Sequence, residues 1–147
     1  MLPDNFPLPD LLATEALASI VAQYLRQGDV VALMGDLGVG KTAFARALLR
    51  VMGVKGDVPS PTFTLVQTYE VKGLQLSHFD LYRLKSRDEL DELGWDDALA
   101  DGVTLVEWPE RAGGRLPANR LTFSFTLAPD GARSCAVEKG GDWTQRL

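Results

Sequence analysis

One stretch of eight residues limits the folds open to this chain more than any other feature. It reads GDLGVGKT, residues 35–42, and matches the pattern G-x-x-x-x-G-K-[ST] of a phosphate-binding loop. Such a loop joins a buried strand to a helix, and both flanks agree with that order. DVVALM (29–34) has the short β-branched run of a buried strand, and KTAFARALLRVM (41–52) is typical of a helix that ends at Gly53. We therefore predict a nucleotide-binding P-loop.

The chemistry of this loop follows from its residue types. Glycines let the backbone curl so that successive N–H groups point at phosphate oxygens, and the N-terminus of the helix adds partial positive charge. Lys41 is predicted to reach the β- and γ-phosphates, and the Thr42 hydroxyl to face Mg²⁺. The alternative is a glycine turn beside an ordinary surface lysine, which the flanking strand and helix disfavour. The residues predicted to contact the nucleotide here are Gly35, Asp36, Leu37, Gly38, Val39, Gly40, Lys41, Thr42 and Ala43.

Two acids are candidates for the metal side of the site. Asp80 follows LQLSHF and Glu107 follows VTLV, so each ends a mostly apolar run. In an open α/β sheet, groups at the carboxyl ends of strands next to the loop meet the ligand. We therefore expect Lys41, Asp80 and Glu107 to be catalytic, and Thr42, Glu107 and Asp80 to serve Mg²⁺. The alternative for each acid alone is a solvated position at the end of a strand.

Several other side chains have two interpretations on sequence alone. In SPTFT (60–64), Ser60, Thr62 or Thr64 could sense the γ-phosphate or the metal, or the segment could be a proline turn entering a strand. His78 could pack structurally or help to order the site. Trp108 directly follows a candidate metal ligand. It could contact the nucleotide, or it could pack in the core. Arg83 could neutralise phosphate charge or pair with the acids at 88–92.

The remaining pattern predicts an α/β fold with a mostly parallel sheet flanked by helices and an antiparallel C-terminal hairpin, in a single domain over 1–147. Apolar residues at helical spacing predict a helix through 17–25, with Thr14 as its N-cap and Gly28 at its end. The first ten residues contain three prolines and should be extended. Further predictions are strands at 62–71, 74–82 and 103–107, a turn at 72–73, a short helix at 87–93 with a Ser86/Glu89 capping box, and hairpin strands at 120–127 and 133–138.

Composition narrows the possible partners and compartment. The chain has 147 residues, is 46% hydrophobic and carries a net charge of −5, so a basic surface for gripping nucleic acid is not expected. No apolar run approaches the roughly 18 residues of a membrane span. A single cysteine permits no internal disulfide, and the N-terminus lacks an export pattern. We therefore expect a cytoplasmic protein with no membrane association and no metal other than Mg²⁺.

Four motifs in order resemble one family, the bacterial TsaE (YjeE) ATPases of tRNA threonylcarbamoyladenosine synthesis. They are GDLGVGKT, SPTFTLV, HFDLYRL and LVEWPER. The resemblance runs from LPDLLATEALA near the N-terminus to the LP at 116–117 and thins across the final hairpin. It implies a P-loop fold and slow hydrolysis of ATP with Mg²⁺. It also implies action with the TsaB–TsaD complex, which modifies adenosine 37 of ANN-decoding tRNAs, so that tRNA is met indirectly through that complex.

The resemblance also assigns site residues. Mg²⁺ contacts map onto Thr42 and Glu107, and Asp80 maps onto the second acid. The nucleotide pocket of the family further uses the segment before the first helix and a polar residue of the last hairpin. Here these would lie near Asp10–Thr14 and near Arg133. Val39 stands where the family usually has alanine, and we expect no change in chemistry from it.

Two other function classes remain open on the residues. A small-molecule kinase would use the same loop, but it usually needs an arginine-rich lid and a substrate pocket. A nucleotide-gated binding module would hydrolyse ATP only incidentally. A GTPase is disfavoured because the chain has no Asn-Lys-x-Asp guanine-reading motif.

Overall fold

The computed structural model describes residues 2–147. The elements are β1 (Asn5–Pro7), α1 (Leu11–Ala22), β2 (Val30–Met34), α2 (Lys41–Met52), β3 (Val66–Val71), β4 (Leu74–Asp80), α3 (Glu89–Glu92), α4 (Trp95–Asp101), β5 (Gly102–Glu107), a 3₁₀ segment (Pro109–Arg115), β6 (Leu121–Leu127), β7 (Arg133–Lys139) and α5 (Trp143–Arg146). From α1 to β7 the main strands and helices follow the predicted order, whereas β1, the 3₁₀ segment and the C-terminal helix were not predicted.

The strands of the described residues form one sheet in the order β1-β7-β6-β2-β5-β4-β3. The four central strands β6, β2, β5 and β4 run parallel to one another, and the outer strands β7, β1 and β3 pair antiparallel with their neighbours. Strand β2 lies in the middle because its apolar run has no polar side to expose: Val30 to Leu33 are at most 1% exposed. The predicted α/β fold, with parallel strands beside the loop and a C-terminal hairpin, is confirmed.

Alternate residues of the strands supply two apolar layers. Val31 and Leu33 face the side covered by α1 and α2, whereas Val30 and Ala32 belong to the cluster that contains residues of α3 and α4. On the first side the rings of Phe44 and Phe123 lie 5.0 Å apart between centroids. Burying one such side chain contributes roughly 1.5–3 kcal/mol. The sheet is therefore held between helices, with the start of α2 against the carboxyl ends of the parallel strands.

The start of α1 differs from the prediction. The helix begins at Leu11, and its N-cap is Asp10, whose Oδ1 accepts a hydrogen bond of 2.9 Å from Ala13 N. The prediction of Thr14 as N-cap is wrong, because Thr14 lies one turn inside the helix and is 9% exposed. The first two residues of the helix, Leu11 and Leu12, are exposed to solvent. The apolar periodicity of the sequence therefore starts only after the helix has begun.

Two strand boundaries also differ. β3 begins at Val66, later than predicted, because Leu65 adopts a left-handed φ of 69° and its N–H bonds to Pro61 O at 2.7 Å in a turn. β4 ends at Asp80. The predicted turn at Lys72 and Gly73 is confirmed, and both residues have positive φ as a two-residue hairpin turn requires.

The capping pattern before α3 is partly present. Glu89 Oε1 accepts hydrogen bonds from the backbone N–H groups of Ser86 at 3.0 Å and Lys85 at 2.5 Å. The helix itself is shorter than the predicted 87–93, and Gly94 separates it from α4 with a φ of 75°. The sequence therefore located the start of this region and its glycine boundary better than the length of its helices.

The first residues were predicted to be extended, and three of them form a strand of the sheet. β1 adds an antiparallel strand to β7, with Phe6 opposite Cys135, and Leu8 N donates to Arg133 O at 2.9 Å. This pairing brings the segment before α1 next to the C-terminal hairpin.

None of the helices in residues 2–147 is both long enough and apolar enough to cross a membrane.

Candidate nucleotide-binding site

The glycine loop lies between β2 and α2, as predicted. Gly40 is the N-cap of α2 with a φ of 109°, and no side chain caps the first turn. The first N–H groups of α2 thus have no side-chain partner, and the residues from Gly40 to Ala43 line the cavity described below. Gly35, with a φ of 140°, has no room for a side chain, because a Cβ there would lie 2.7 Å from Phe125 O. The loop therefore has the backbone form that an anion site needs.

Lys41 carries a positive charge into the base of this loop. Its side chain is buried, its Nζ donates to Gly35 O at 2.5 Å, and Nζ lies 3.6 Å from the ring centroid of Trp108. Burial lowers the pKa of Lys41, and the nearby carboxylates of Glu107 and Asp80 oppose that shift. In this structure the Lys41 ammonium group contacts a neutral carbonyl oxygen and an aromatic ring. A bound phosphate would give it an anionic partner, which interacts more strongly than either.

Glu107 connects three strands and the start of α2. It stands at the end of β5, opposite Leu33 of β2 and Asp80 of β4. Its Oε1 accepts a hydrogen bond of 2.9 Å from Thr42 Oγ1, and its Oε2 lies 2.7 Å from His78 Nε2. The strand-end geometry expected for Glu107 is thus present, and its carboxylate reaches the loop hydroxyl directly.

Asp80 is bound to the hydroxyl segment at 60–64. Its Oδ2 accepts a hydrogen bond from Thr62 Oγ1 at 3.1 Å, and Thr62 Oγ1 lies 2.8 Å from Ser60 Oγ. The other oxygen, Oδ1, accepts from Tyr82 N at 3.1 Å. The carboxylate is 4% exposed. Thr62 and Asp80 are therefore in direct contact through this hydrogen bond.

These groups surround a cavity of about 330 Å³, which we call the phosphate cavity. Its lining residues come from the loop, the ends of β4 and β5, and the C-terminal hairpin. They are Leu37, Gly38, Gly40, Lys41, Thr42, Ala43, Thr62, Asp80, Tyr82, Glu107, Trp108 and Arg133.

A second cavity of about 610 Å³ lies between the segment before α1 and the turn of the hairpin. We call it the hairpin cavity. It is lined by Pro7–Leu11 and Asp130–Arg133, so Arg133 borders both cavities. Arg133 was loosely located by sequence. It lies opposite Leu127 at the carboxyl end of β6, which runs parallel to β2, and the β1–β7 pairing brings the segment before α1 next to it.

Not every predicted contact residue lines these two cavities. Gly35, Asp36 and Val39 border a separate groove next to β6, and Ser60 reaches the phosphate cavity only through Thr62. Thr14 lines neither cavity. Tyr82 lies in the phosphate cavity with its ring 5.0 Å from that of Trp108 between centroids, and sequence reasoning missed it. Its place in HFDLYR, two residues after Asp80, was the available indication.

The oxygen donors at the start of α2 fit Mg²⁺. Thr42 Oγ1 and Glu107 Oε1 are hard ligands held side by side, next to where loop-bound phosphates would lie. Mg²⁺ is usually held by one or two protein groups together with substrate phosphates and water. In the part of the chain that the structure describes, no three acidic, histidine or cysteine side chains gather as a metal cage.

A family profile decides the relationship of the chain. The profile described as "Threonylcarbamoyl adenosine biosynthesis protein TsaE" matches residues 8–135. The chain belongs to the TsaE family. The match covers the loop, both strand-end acids and the hairpin up to Cys135, and it confirms the resemblance that the four motifs indicated.

Individual relatives agree with the family profile. A Bacillus subtilis protein named "tRNA threonylcarbamoyladenosine biosynthesis protein TsaE" is 40% identical over 135 residues, which are 91% of this chain and 84% of that protein. A Synechocystis protein of the same name is 42% identical over 111 residues, 73% and 71% of the two chains. The crystal structure of Bacillus subtilis YdiB superposes with a TM-score of 0.77 at 32% identity, covering 94% of this chain and 86% of YdiB.

Proposed function

We propose that this chain binds ATP with Mg²⁺ and hydrolyses it to ADP and phosphate, as a component required for N6-threonylcarbamoylation of adenosine 37 in ANN-decoding tRNAs. The observation that carries the chemistry is the pairing of Thr42 with Glu107 at 2.9 Å beside the buried cation of Lys41. The names of the TsaE relatives support the pathway. Nucleotide binding by a P-loop is further supported by membership of the TsaE family and by the fold shared with YdiB.

Phosphate binding is assigned to the glycine loop. Its amides and the first turn of α2 would receive the phosphate oxygens, and Lys41 would exchange the carbonyl of Gly35 for the β- and γ-phosphates. The exchange is favourable because an anionic phosphate oxygen attracts the ammonium group more strongly than a neutral carbonyl oxygen does. The rest of the nucleotide is assigned to the hairpin cavity, where Arg133 borders the phosphate cavity and Pro7, Leu8, Pro9 and Leu11 offer apolar surface.

Thr42 and Glu107 would hold Mg²⁺, which when bound neutralises charge on the phosphates. Asp80, held on both oxygens by Thr62 and Tyr82 N, is assigned to orienting the attacking water. A carboxylate is a weak base, so its contribution is positioning and electrostatics more than full proton removal. Within residues 2–147 the arginine that lines the phosphate cavity is Arg133, at the side of the hairpin.

Slow hydrolysis by the isolated chain follows from this arrangement. Partner-supplied charge raises the rate about 10³–10⁵-fold in other P-loop proteins. We assign that role to the TsaB–TsaD complex in the cytoplasm, with tRNA met through that complex. A partner could act by ordering the 60–64 segment, whose Thr62 bonds Asp80 and whose Phe63 is 80% exposed.

The test of the site is ATP binding by titration calorimetry. Lys41→Ala should weaken ATP binding about 10–150-fold, since a hydrogen bond to a charged group contributes roughly 1.5–3 kcal/mol. Lys55→Ala is the matched control, because Lys55 is exposed and lies outside both cavities. Equal affinities for Lys41→Ala and the wild-type chain would reject the site. Release of free phosphate, with none transferred to an added acceptor, separates hydrolysis from a kinase.

A further inference from the structure

We propose that His78 is a positioning residue for the metal ligand Glu107, holding one carboxylate oxygen so that the other is directed at Thr42. The inference rests on the proposed function, because it assigns a role within the Mg²⁺ site. It starts from a contact that the hydrolysis mechanism does not use: His78 Nε2 and Glu107 Oε2 lie 2.7 Å apart. The side chains are 0% and 3% exposed, so water does not compete for this hydrogen bond.

The burial of His78 determines which nitrogen carries the hydrogen. Nδ1 is buried and has no hydrogen-bond partner among the described residues. A hydrogen on Nδ1 would be a buried donor without an acceptor, which costs more than an unused acceptor lone pair. A hydrogen on Nε2 points at the Glu107 carboxylate. The geometry thus favours the Nε2–H tautomer, with His78 as donor and Glu107 Oε2 as acceptor.

The sheet makes this donor rigid. His78 is in β4, paired in register with Gln67 on one side and Leu105 on the other, and Glu107 is two residues further along β5 than Leu105. A carboxylate at the end of a strand can otherwise rotate about its last bond. With Oε2 held by His78, the remaining oxygen Oε1 faces Thr42 Oγ1 at 2.9 Å. Both metal-side oxygens are then oriented before Mg²⁺ arrives, which is the effect that groups behind metal ligands have in other sites.

The hydrogen bond itself can be tested directly, because His78 is the only histidine in the sequence. A ¹H–¹⁵N correlation spectrum of the untagged, ¹⁵N-labelled chain will contain one set of imidazole signals. We expect the Nε2–H pattern, with a slowly exchanging Nε2 proton that is lost in Glu107→Ala. An Nδ1–H pattern, or an Nε2 proton that exchanges as fast in the wild-type chain as in Glu107→Ala, would overturn the proposal.

The role in metal binding needs variants that separate the donor from the volume of the ring. His78→Leu removes the donor, whereas His78→Gln keeps an N–H near the place of Nε2. Leu76→Ala is the stability control: Leu76 lies in the same strand, is 1% exposed in the core and pairs with Val103, four residues before Glu107 in β5. The measurement is the dissociation constant of ADP in Mg²⁺ and in EDTA, and the Mg²⁺ concentration that gives half of the affinity gain.

We expect His78→Leu to raise the half-saturating Mg²⁺ concentration about 10–100-fold, with ADP affinity in EDTA unchanged. His78→Gln should recover most of the loss, and Leu76→Ala should lower the melting temperature without moving the Mg²⁺ requirement. If the wild-type chain binds ADP equally in Mg²⁺ and EDTA, the metal site of the proposed function is wrong and this role falls with it. If the wild-type chain responds to Mg²⁺ and His78→Leu responds equally, only the role of His78 is wrong.

Discussion

The C-terminal helix α5 is joined by an ion pair to the segment before the central strand β2. Arg146 donates from both terminal nitrogens to Asp29, at 2.8 Å to Oδ1 and 2.7 Å to Oδ2. Its guanidinium also stacks on the ring of Trp143 at 3.8 Å from the centroid. Asp29 comes directly before β2, and the two charged side chains are 12% and 5% exposed. We predict that Arg146→Met destabilises the whole chain by much more than a surface pair would.

The expected loss of unfolding free energy is large because Arg146→Met leaves the Asp29 carboxylate buried without its charged partner. Removing one partner of a buried pair costs about 3–5 kcal/mol, because the other charge stays buried. Asp29 would keep one hydrogen bond, from Arg26 N at 2.8 Å, so the lower end is expected. For 147 residues the unfolding entropy is about 0.3 kcal/mol/K, so a loss of about 3 kcal/mol lowers the melting temperature by about 10 °C.

The assay is thermal unfolding followed by circular dichroism, with two comparison variants. Arg26→Met breaks an exposed pair with Asp142, whose side chains are 66% and 43% exposed, and should shift the melting temperature by less than about 3 °C. The double variant Asp29→Leu/Arg146→Met removes both charges and should recover most of the loss. A shift for Arg146→Met no larger than that of Arg26→Met would refute the reasoning.

Two further predictions test other parts of the fold. Burial raises the pKa of the Cys135 thiol from 9.0 to about 12, so the unfolded chain ionises first as pH rises. Relative to Cys135→Ala, the wild-type chain should lose up to about 4 kcal/mol of stability between pH 9 and 12, measured by urea unfolding, and a pH-independent difference would contradict this. Gly35→Ala should abolish ATP binding and cost about 1–3 kcal/mol, because the new Cβ meets Phe125 O at 2.7 Å. The control Gly114→Ala has free space and should bind ATP normally.

The parts of the site that the sequence could predict are those whose geometry is local. The glycine loop follows a strand and opens a helix within a few residues, so its backbone form is readable from residue types alone. Asp80 and Glu107 end apolar runs, and parallel pairing places them opposite each other at the same edge. Both facts depend on short-range pattern and on one general rule of sheet topology.

The parts that the sequence could not predict depend on pairing between distant segments. Arg133 borders the hairpin cavity because β1 pairs with β7, and neither the length of β1 nor its register has a local pattern. The bond from Thr42 to Glu107 and the one from Arg146 to Asp29 join residues 65 and 117 positions apart. Thr14 was misassigned for the opposite reason: its local pattern was suitable for a cap, but Asp10 began the helix earlier.

We propose above that ATP hydrolysis at the glycine loop supports tRNA threonylcarbamoylation. The direct measurement is reconstituted modification with the TsaB–TsaD complex, ATP and unmodified tRNA, scored as modified tRNA formed per complex. Asp80→Asn keeps the loop, Lys41, Thr42 and Glu107, so it should bind ATP like the wild-type chain but hydrolyse it far more slowly.

We expect the wild-type chain to support many modifications per complex, and Asp80→Asn to stop the reaction after about one. Lys41→Ala should give the same result as omitting the chain. If Asp80→Asn binds ATP, fails to hydrolyse it and still sustains many modifications per complex, ATP binding alone is sufficient. That result would contradict the account and would make the chain a nucleotide-gated binding module.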